Sequence, residues 1–365
     1  MPIAVSEEHE TLRRTVRRWL DTHCPPDVAR AALSAAADEL PPVWKALADQ
    51  GWLGLAVPEA DGGQGFGLVE VAVVLEELGW SLVPGPVLPT LLAASAVAAA
   101  AGPAGRAALL GGLVDGTTPA AVYLGAGTLA AVEGAEGSVV VDGTLRPVLG
   151  APTARLVLAP LAGGGWCVLD TETDGVTVEA IEALDATRAL GTIRATGAVV
   201  PPARRLGALD GATVRELAVV LAAAESAGGA AWCLTTASEY AKVRVQFGRP
   251  IGQFQAIKHK LADVYIAVEL ARSNAYYGAW ALHTDAAELP IAASVARISA
   301  CDAGWVASKE NIQTHGGMGF TWQMDCQFYY RRAKLHALAL GGTREWKRRL
   351  IAELRKSNTI ALPTD

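Results

Sequence analysis

After residue 208 the chain carries four long runs with apolar residues at helical spacing: Val214–Phe247, Ala256–His283, Ile291–Thr314 and Cys326–Leu340. Pro250, Pro290 and the glycines around Gly316 mark the junctions. Four helices of this length bury their apolar faces most simply as an antiparallel bundle. The part before it has a different character. Between Thr117 and Gly207, short β-prone runs alternate with turns: Ala120–Leu124, Ser138–Val141, Arg155–Ala159, Trp166–Leu169, Val176–Ile181 and Thr192–Val200. Asp142-Gly143 reads as a hairpin turn. Six or seven short strands with little helix predict a small β-barrel or sandwich.

The N-terminal part is helical. Ser6 with Glu8 and Glu10 opens an amphipathic helix that runs to His23 and stops at Pro25-Pro26. Pro41-Pro42 opens another, Val43–Gln50. The glycine-rich stretch from Pro58 to Gly67 has neither a preceding strand nor the GK[ST] ending of a phosphate loop, so it reads as a turn between helices. The segment Leu124-Gly-Ala-Gly-Thr-Leu-Ala130 mimics a dinucleotide fingerprint, but Gly134 and Gly137 break the helix that should follow. The expected architecture is therefore α+β and multidomain. It comprises an N-terminal helical domain (1–115), a middle β domain (116–207) and a C-terminal helical bundle (208–365).

With 51% hydrophobic and 19% charged residues, the chain has the composition of a folded globule. A net charge of −6 argues against a nucleic-acid binder. It leaves room for one anionic ligand held by local arginines such as Arg244, Arg249, Arg331 and Arg332. Five scattered cysteines without a CxxC pair point to reduced, idle thiols and to no metal site. The charged N-terminus is unlike a signal peptide, and the alanine-rich run from Leu91 to Ala101 is half a membrane span. A cytoplasmic protein with no membrane partner is expected.

Two motifs carry the chemistry. Arg244-Val-Gln-Phe-Gly248, followed by Gln255, sits at a junction between helical runs, and Gln313-Thr-His-Gly-Gly317 sits at another. Glycines at a helix end let backbone N–H groups approach a phosphate closely. Together with Trp52-Leu-Gly-Leu-Ala-Val-Pro-Glu59 and Glu76-Glu-Leu-Gly79, these residues resemble the acyl-CoA dehydrogenase family over most of the chain. The resemblance implies FAD as cofactor and an acyl-CoA thioester as substrate. It implies Arg244, Phe247, Gln255, Gln313, Gly316, Gly317 and Thr343 as cofactor-binding residues. In that family the adenosine-diphosphate part of one subunit's FAD is held by a neighbouring subunit, and an arginine suits a pyrophosphate.

The chain also departs from the family pattern. The loop that binds the flavin ring region is cut short after Ala120–Leu124, to Gly125-Ala-Gly-Thr128. The aromatic and hydroxyl residues expected after Asp142-Gly143 are replaced by Pro147-Val-Leu-Gly-Ala-Pro152. The glutamate that most of the family place before Gly-Thr is Gly341 here, and a glutamine that usually follows is Glu345. A second family solution puts the base on the first long bundle helix, at a position aligned with Ala218. Glu225, two helical turns on, is the candidate base, because dehydrogenation needs a carboxylate beside the substrate Cα. The same glutamate also reads, and more readily, as a buried structural carboxylate paired with an arginine. Asp185 and Arg188 offer polar contacts from the β part or a local salt bridge. The leading expectation is one subunit of a heterotetramer formed with a paralogous subunit, in the manner of enzymes acting on bulky CoA thioesters. A self-sufficient homotetramer using Glu225, a non-redox scaffold member and a flavin monooxygenase are the alternatives.

Overall fold

Caps and prolines set where the first helices begin. In the computed structural model, which describes residues 6–284 and 286–356, Ser6 caps α1 (Glu7–His23). Its hydroxyl accepts the His9 amide at 3.3 Å, and the Ser6 amide donates to His9 Nδ1 at 3.1 Å. This is a capping box with histidine where glutamate is usual. Pro26 opens α2 (Pro26–Ala32), where its missing N–H costs nothing. Then come α3 (Val43–Ala48), α4 (Leu68–Trp80), α5 (Val87–Ala100) and α6 (Pro103–Val114). The glycine-rich segment from Pro58 is a turn that leads into α4: the amides of Gly63 and Gly65 close back on Pro58 and Val57.

The middle of the chain forms one mixed sheet. Its strands are β1 (Ala120–Val122), β2 (Ala130–Glu133), β3 (Val139–Leu149), β4 (Leu156–Pro160), β5 (Trp166–Asp170), β6 (Val176–Ile181), β7 (Leu190–Val200) and β8 (Arg205–Leu206). The hydrogen-bonded order is β6-β7-β3-β1-β4-β5-β8, with β2 pairing β3. Only β1 and β4 run parallel; the other pairs are antiparallel. Alternate residues such as Val139, Val141, Leu145, Ile193 and Ala195 bury one face in a common core. One sequence expectation needs correction here. Asp142-Gly143 is not a hairpin turn but a bulge inside β3, where the register with β7 shifts between Val141 and Gly143. Asp142 Oδ1 accepts the Gly197 amide across the bulge at 2.8 Å. The segment that mimicked a dinucleotide fingerprint runs into strand β2, not a helix.

The C-terminal stretch holds α7 (Gly211–Val243), a two-stranded ribbon of β9 (Val245–Gln246) and β10 (Arg249–Pro250), and then α8 (Gln255–His283), α9 (Leu289–His315), α10 (Cys326–Ala339) and α11 (Thr343–Lys356). All four expected helices are present. The fifth, α11, was hidden by its basic composition and the preceding Gly341-Gly342. α7 stops at Val243 because Phe247 and Gly248 are both left-handed (φ 53° and 78°) and turn the ribbon. α7 is apolar and long enough to cross a membrane by composition, yet 78% of its most apolar window is buried within the chain, as in a core helix.

By contacts the chain forms two compact units. One comprises His23–Val71 and Val83–Ala218; the other joins α1 and Ala72–Leu82 to the residues from Val219 onward. Inside the second unit, α4 and α7 meet backbone to backbone. A Cβ at Gly228 would stand 1.8 Å from the Glu76 carbonyl oxygen, and one at Gly79 would stand 1.9 Å from that of Glu225. This approach buries Glu76 and Glu77, which recruit cations from α1 and α8. Glu76 accepts Arg13 at 3.1 Å, Arg272 at 2.6 Å and the Tyr276 hydroxyl at 2.6 Å, and Glu77 accepts Arg17. Burial pushes the Glu77 carboxyl up, only partly offset by Arg17. The Glu-Glu-Leu-Gly motif is thus an anchor: two carboxylates and a glycine that together set α1, α4, α7 and α8.

Gly228→Ala therefore forces two helices apart. Overpacking of this kind costs about 1–3 kcal/mol, so calorimetry should show a Tm several degrees lower. An unchanged Tm would show that the helices are not in contact there.

Candidate functional site

The α7–α8 junction and the end of α9 bring six of the seven expected cofactor residues to one end of the bundle. Tyr240, one turn before Arg244, stacks on His315, the last residue of α9, with ring centroids 4.2 Å apart. Arg244 and Phe247 are exposed on the ribbon, Gln255 opens α8, and Gln313, Gly316 and Gly317 close α9. Among the described residues Arg244 has no carboxylate partner, and Phe247 is 91% exposed. Gly316 has φ 61° and ψ −140°, a conformation that favours glycine, and its amide bonds to the Gln313 carbonyl. No atom lies within 4 Å of where a Cβ would stand on Gly316 or Gly317. An exposed guanidinium, an exposed aromatic and glycines with open space beside their backbone fit an approaching nucleotide diphosphate.

Behind this end, Glu310 accepts Lys260 of α8 and Lys309, each at 3.1 Å. Burial alone would raise the Glu310 carboxyl, but the two lysines outweigh it and hold it below the ordinary carboxylate range.

The seventh residue, Thr343, lies elsewhere. It opens α11, beside Cys301 of α9. Gln313 is twelve residues beyond Cys301, about 18 Å along the helix. One chain therefore does not converge all seven on one spot. Gly341, where the resemblance expects a carboxylate, has φ 84°, a conformation that penalises any residue with a Cβ.

Glu225 is buried on α7, and α10 supplies its partners. Arg332 Nη1 donates to its Oε1 at 2.7 Å, and His336 Nε2 lies 3.5 Å from Oε2. Tyr329, on the same helix, stacks on Trp232 at 3.8 Å and donates to the Trp80 carbonyl at 2.5 Å. The adjoining cavity, lined by Gly79, Gly229, Cys233, Ser308 and His336 among others, is only about 20 Å³. That holds one water at most and no acyl chain. The geometry favours the paired-carboxylate reading of Glu225 over the base reading. Sequence reasoning anticipated an arginine partner but not which one. Arg332 and His336, four residues apart on one helix face, were the available signal.

In the β part, the shortened loop folds onto its own strand end. The Tyr123 hydroxyl accepts the Gly127 amide at 3.0 Å, and a Cβ on Gly125 would meet the same phenol at 2.4 Å. Tyr123 itself is buried against this shortened loop. At the other departure, Val148 and Ala151 are core residues and offer no aromatic or hydroxyl. These segments do not fit a flavin ring. Asp185 and Arg188 serve local structure: Asp185 accepts the Thr187 amide at 3.0 Å, and Arg188 donates to the Gly85 carbonyl at 2.6 Å.

Comparison with known proteins bears on this arrangement. Residues 6–117 match the model of the acyl-CoA dehydrogenase N-terminal domain, and residues 218–354 match that of the C-terminal domain. The chain is 37% identical over 361 residues to acyl-CoA dehydrogenase FadE34 of Mycobacterium tuberculosis, covering 96% of this chain but 48% of that protein. It thus spans about half the length of that relative. It is 35% identical over 352 residues to acyl-CoA dehydrogenase IpdE2 of Mycolicibacterium smegmatis, covering 96% of this chain and 100% of the relative. Among solved structures, a chain of the ChsE4-ChsE5 complex from Mycobacterium tuberculosis superposes with a TM-score of 0.90 at 29% identity over the whole of both chains.

Two outcomes follow from the ion pairs. Arg332→Met leaves the Glu225 carboxylate buried without its closest cation and should cost about 3–5 kcal/mol. A loss under 1 kcal/mol in denaturant unfolding would contradict the pairing. For Glu310, a lowered folded pKa means that the unfolded chain takes up the proton first as pH falls. The pair's contribution is full above the unfolded value of about 4.3 and is lost as pH drops through the lower folded value. The Tm gap between wild type and Lys260→Met should therefore be present at neutral pH and close below about pH 4. A gap independent of pH would show that the carboxylate is not the source.

Proposed function

The chain belongs to the acyl-CoA dehydrogenase family, and on that premise we propose that it is one subunit of an FAD-dependent enzyme that introduces an α,β double bond into an acyl-CoA thioester. The observation that carries the reading is the mismatch between the two ends of the candidate site. The nucleotide end is complete, with Arg244, Phe247, Gln255, Gln313, Gly316 and Gly317 exposed at one place. The ring end is not: Tyr123 fills the shortened loop, and Gly341 stands where a base is expected.

FAD, when bound, would accept the hydride that leaves the substrate Cβ. This chain's part is to hold. Arg244 neutralises pyrophosphate charge, Phe247 covers an apolar surface, and Gly316 and Gly317 let phosphate oxygens approach the backbone closely. Glu225 anchors α7 to α10, and the α-proton is taken by a carboxylate of the partner. A partner subunit of the same family supplies the surface that packs on the flavin ring, giving a heterotetramer. Two comparisons support this. The similar structure is a complex of two named proteins, and the relative FadE34 is roughly twice as long as the stretch this chain matches, room for a second unit of the same kind.

Two variants of the complex with its partner test the assignment. Arg244→Ala removes a charge-assisted contact worth roughly 1.5–3 kcal/mol, so FAD occupancy should fall about tenfold or more with little change in Tm. Unchanged flavin content would mean that the arginine is not at the cofactor. Glu225→Gln should leave the rate of flavin reduction by substrate near normal while shifting thermal stability. A fall of about a hundredfold in rapid-mixing experiments would instead identify Glu225 as the base and favour a self-sufficient homotetramer.

A further inference from the structure

Arg297 is a fully buried cation that the proposed function does not use. It sits mid-way along α9 and is 1% exposed. Its Nη2 donates to the His336 carbonyl at 2.6 Å and to the Gly341 carbonyl at 2.9 Å. The His336 carbonyl belongs to the last turn of α10, whose carbonyls lack partners within the helix and where a cation is favoured. The Gly341 carbonyl lies in the segment that joins α10 to α11.

That segment is pinned along its length. The Leu340 carbonyl accepts the Trp346 indole at 2.7 Å, and Trp346 is itself buried. The Gly342 carbonyl accepts the amides of Glu345 and Trp346 at 3.0 and 3.3 Å. Three successive carbonyls are thus fixed by groups from α9 and α11. Two adjacent glycines are the most mobile linker a chain can make. A linker that only joined two helices would need no buried arginine, whose charge is expensive to take out of water.

We propose that Arg297 is a positioning residue: with the Trp346 indole, it locks the Leu340–Thr343 backbone in a single conformation and so fixes the place of Thr343 toward a bound flavin cofactor. The clause about flavin rests on the proposed function; the lock itself does not. His336 also connects the lock to Glu225, since its ring lies 3.5 Å from that carboxylate while its carbonyl accepts Arg297. Glu225 then steadies the loop through α10 without touching substrate.

The test uses Arg297→Met and Arg297→Lys in the chain combined with its acyl-CoA dehydrogenase partner. Hydrogen exchange is read by mass spectrometry in the peptide containing Leu340–Thr343, with the Gly316–Phe320 peptide as internal reference. Arg297→Met should speed exchange at 340–343 at least about tenfold, as expected for loss of one buried charged hydrogen bond, and leave 316–320 unchanged. Arg297→Lys should fall between wild type and Met. FAD should leave the Met variant at least about tenfold faster, as Thr343 loses its fixed place. If Arg297→Met does not fold, Trp346→Phe removes only the indole donor and should raise exchange at the same peptide. Unchanged exchange at 340–343 would overturn the proposal, as would a uniform rise across α9 and α10. If the wild-type complex holds no FAD, the functional reading fails, and the exchange data still decide whether Arg297 locks the loop.

Discussion

Gly79 and Gly228 set the distance between α4 and α7, and much of the second unit follows from that distance. With no Cβ on either residue, the two backbones touch at the Glu76 and Glu225 carbonyls. Three carboxylates are then carried into the interior, and each draws in its own cations: Arg13 and Arg272 to Glu76, Arg17 to Glu77, and Arg332 to Glu225. Removing any of these cations strands a buried charge, so the network fixes how α1, α8 and α10 lie on the α4–α7 pair. The specificity of the bundle comes from these pairs as much as from its apolar surface, which is largely alanine and would pack in several ways.

A bundle held this way can keep its two ends different. The far end of α9 carries Gly316 and Gly317 with open space beside them, and the α7–α8 ribbon carries an exposed arginine and an exposed phenylalanine, which suit a nucleotide arriving from outside the chain. Two turns into α9, Arg297 fixes a loop whose own side chains include no base. The separation of these two places along one rigid helix fits a family in which the two halves of a cofactor are held by different subunits. It also explains why Glu225 looks catalytic in the sequence but not in the fold: its carboxylate is occupied in holding α10 in place.

Most of the architecture was legible in the sequence. β-prone runs bounded by turns marked β4, β5, β6 and β7 nearly to the residue, and apolar periodicity marked α7 to α10. What failed was local and had physical causes. Asp142-Gly143 has the residues of a two-residue turn, but the pairing of Val141 and Gly143 with β7 continued on both sides of it, so the strand kinked and did not reverse. β2 is four residues flanked by glycines, too short to show a period. α11 followed a glycine pair that reads as an ending. At the site, Arg244, Gln313 and the glycines were legible because a motif keeps its residues together. Arg332, His336 and Arg297 were not, because each acts on a partner far away in sequence. The lone glutamate in an alanine run signalled that some cation must meet it, and only the fold shows which.

The central claim is that this chain holds the nucleotide end of FAD and lacks the ring end. The most direct measurement is the visible flavin spectrum of the chain purified alone and together with its acyl-CoA dehydrogenase partner, after both are supplied with excess FAD and desalted. The account predicts a nearly colourless protein alone and a stoichiometrically yellow complex that bleaches on addition of an acyl-CoA substrate. A homomeric preparation of this chain carrying stoichiometric FAD and bleached by acyl-CoA would contradict it.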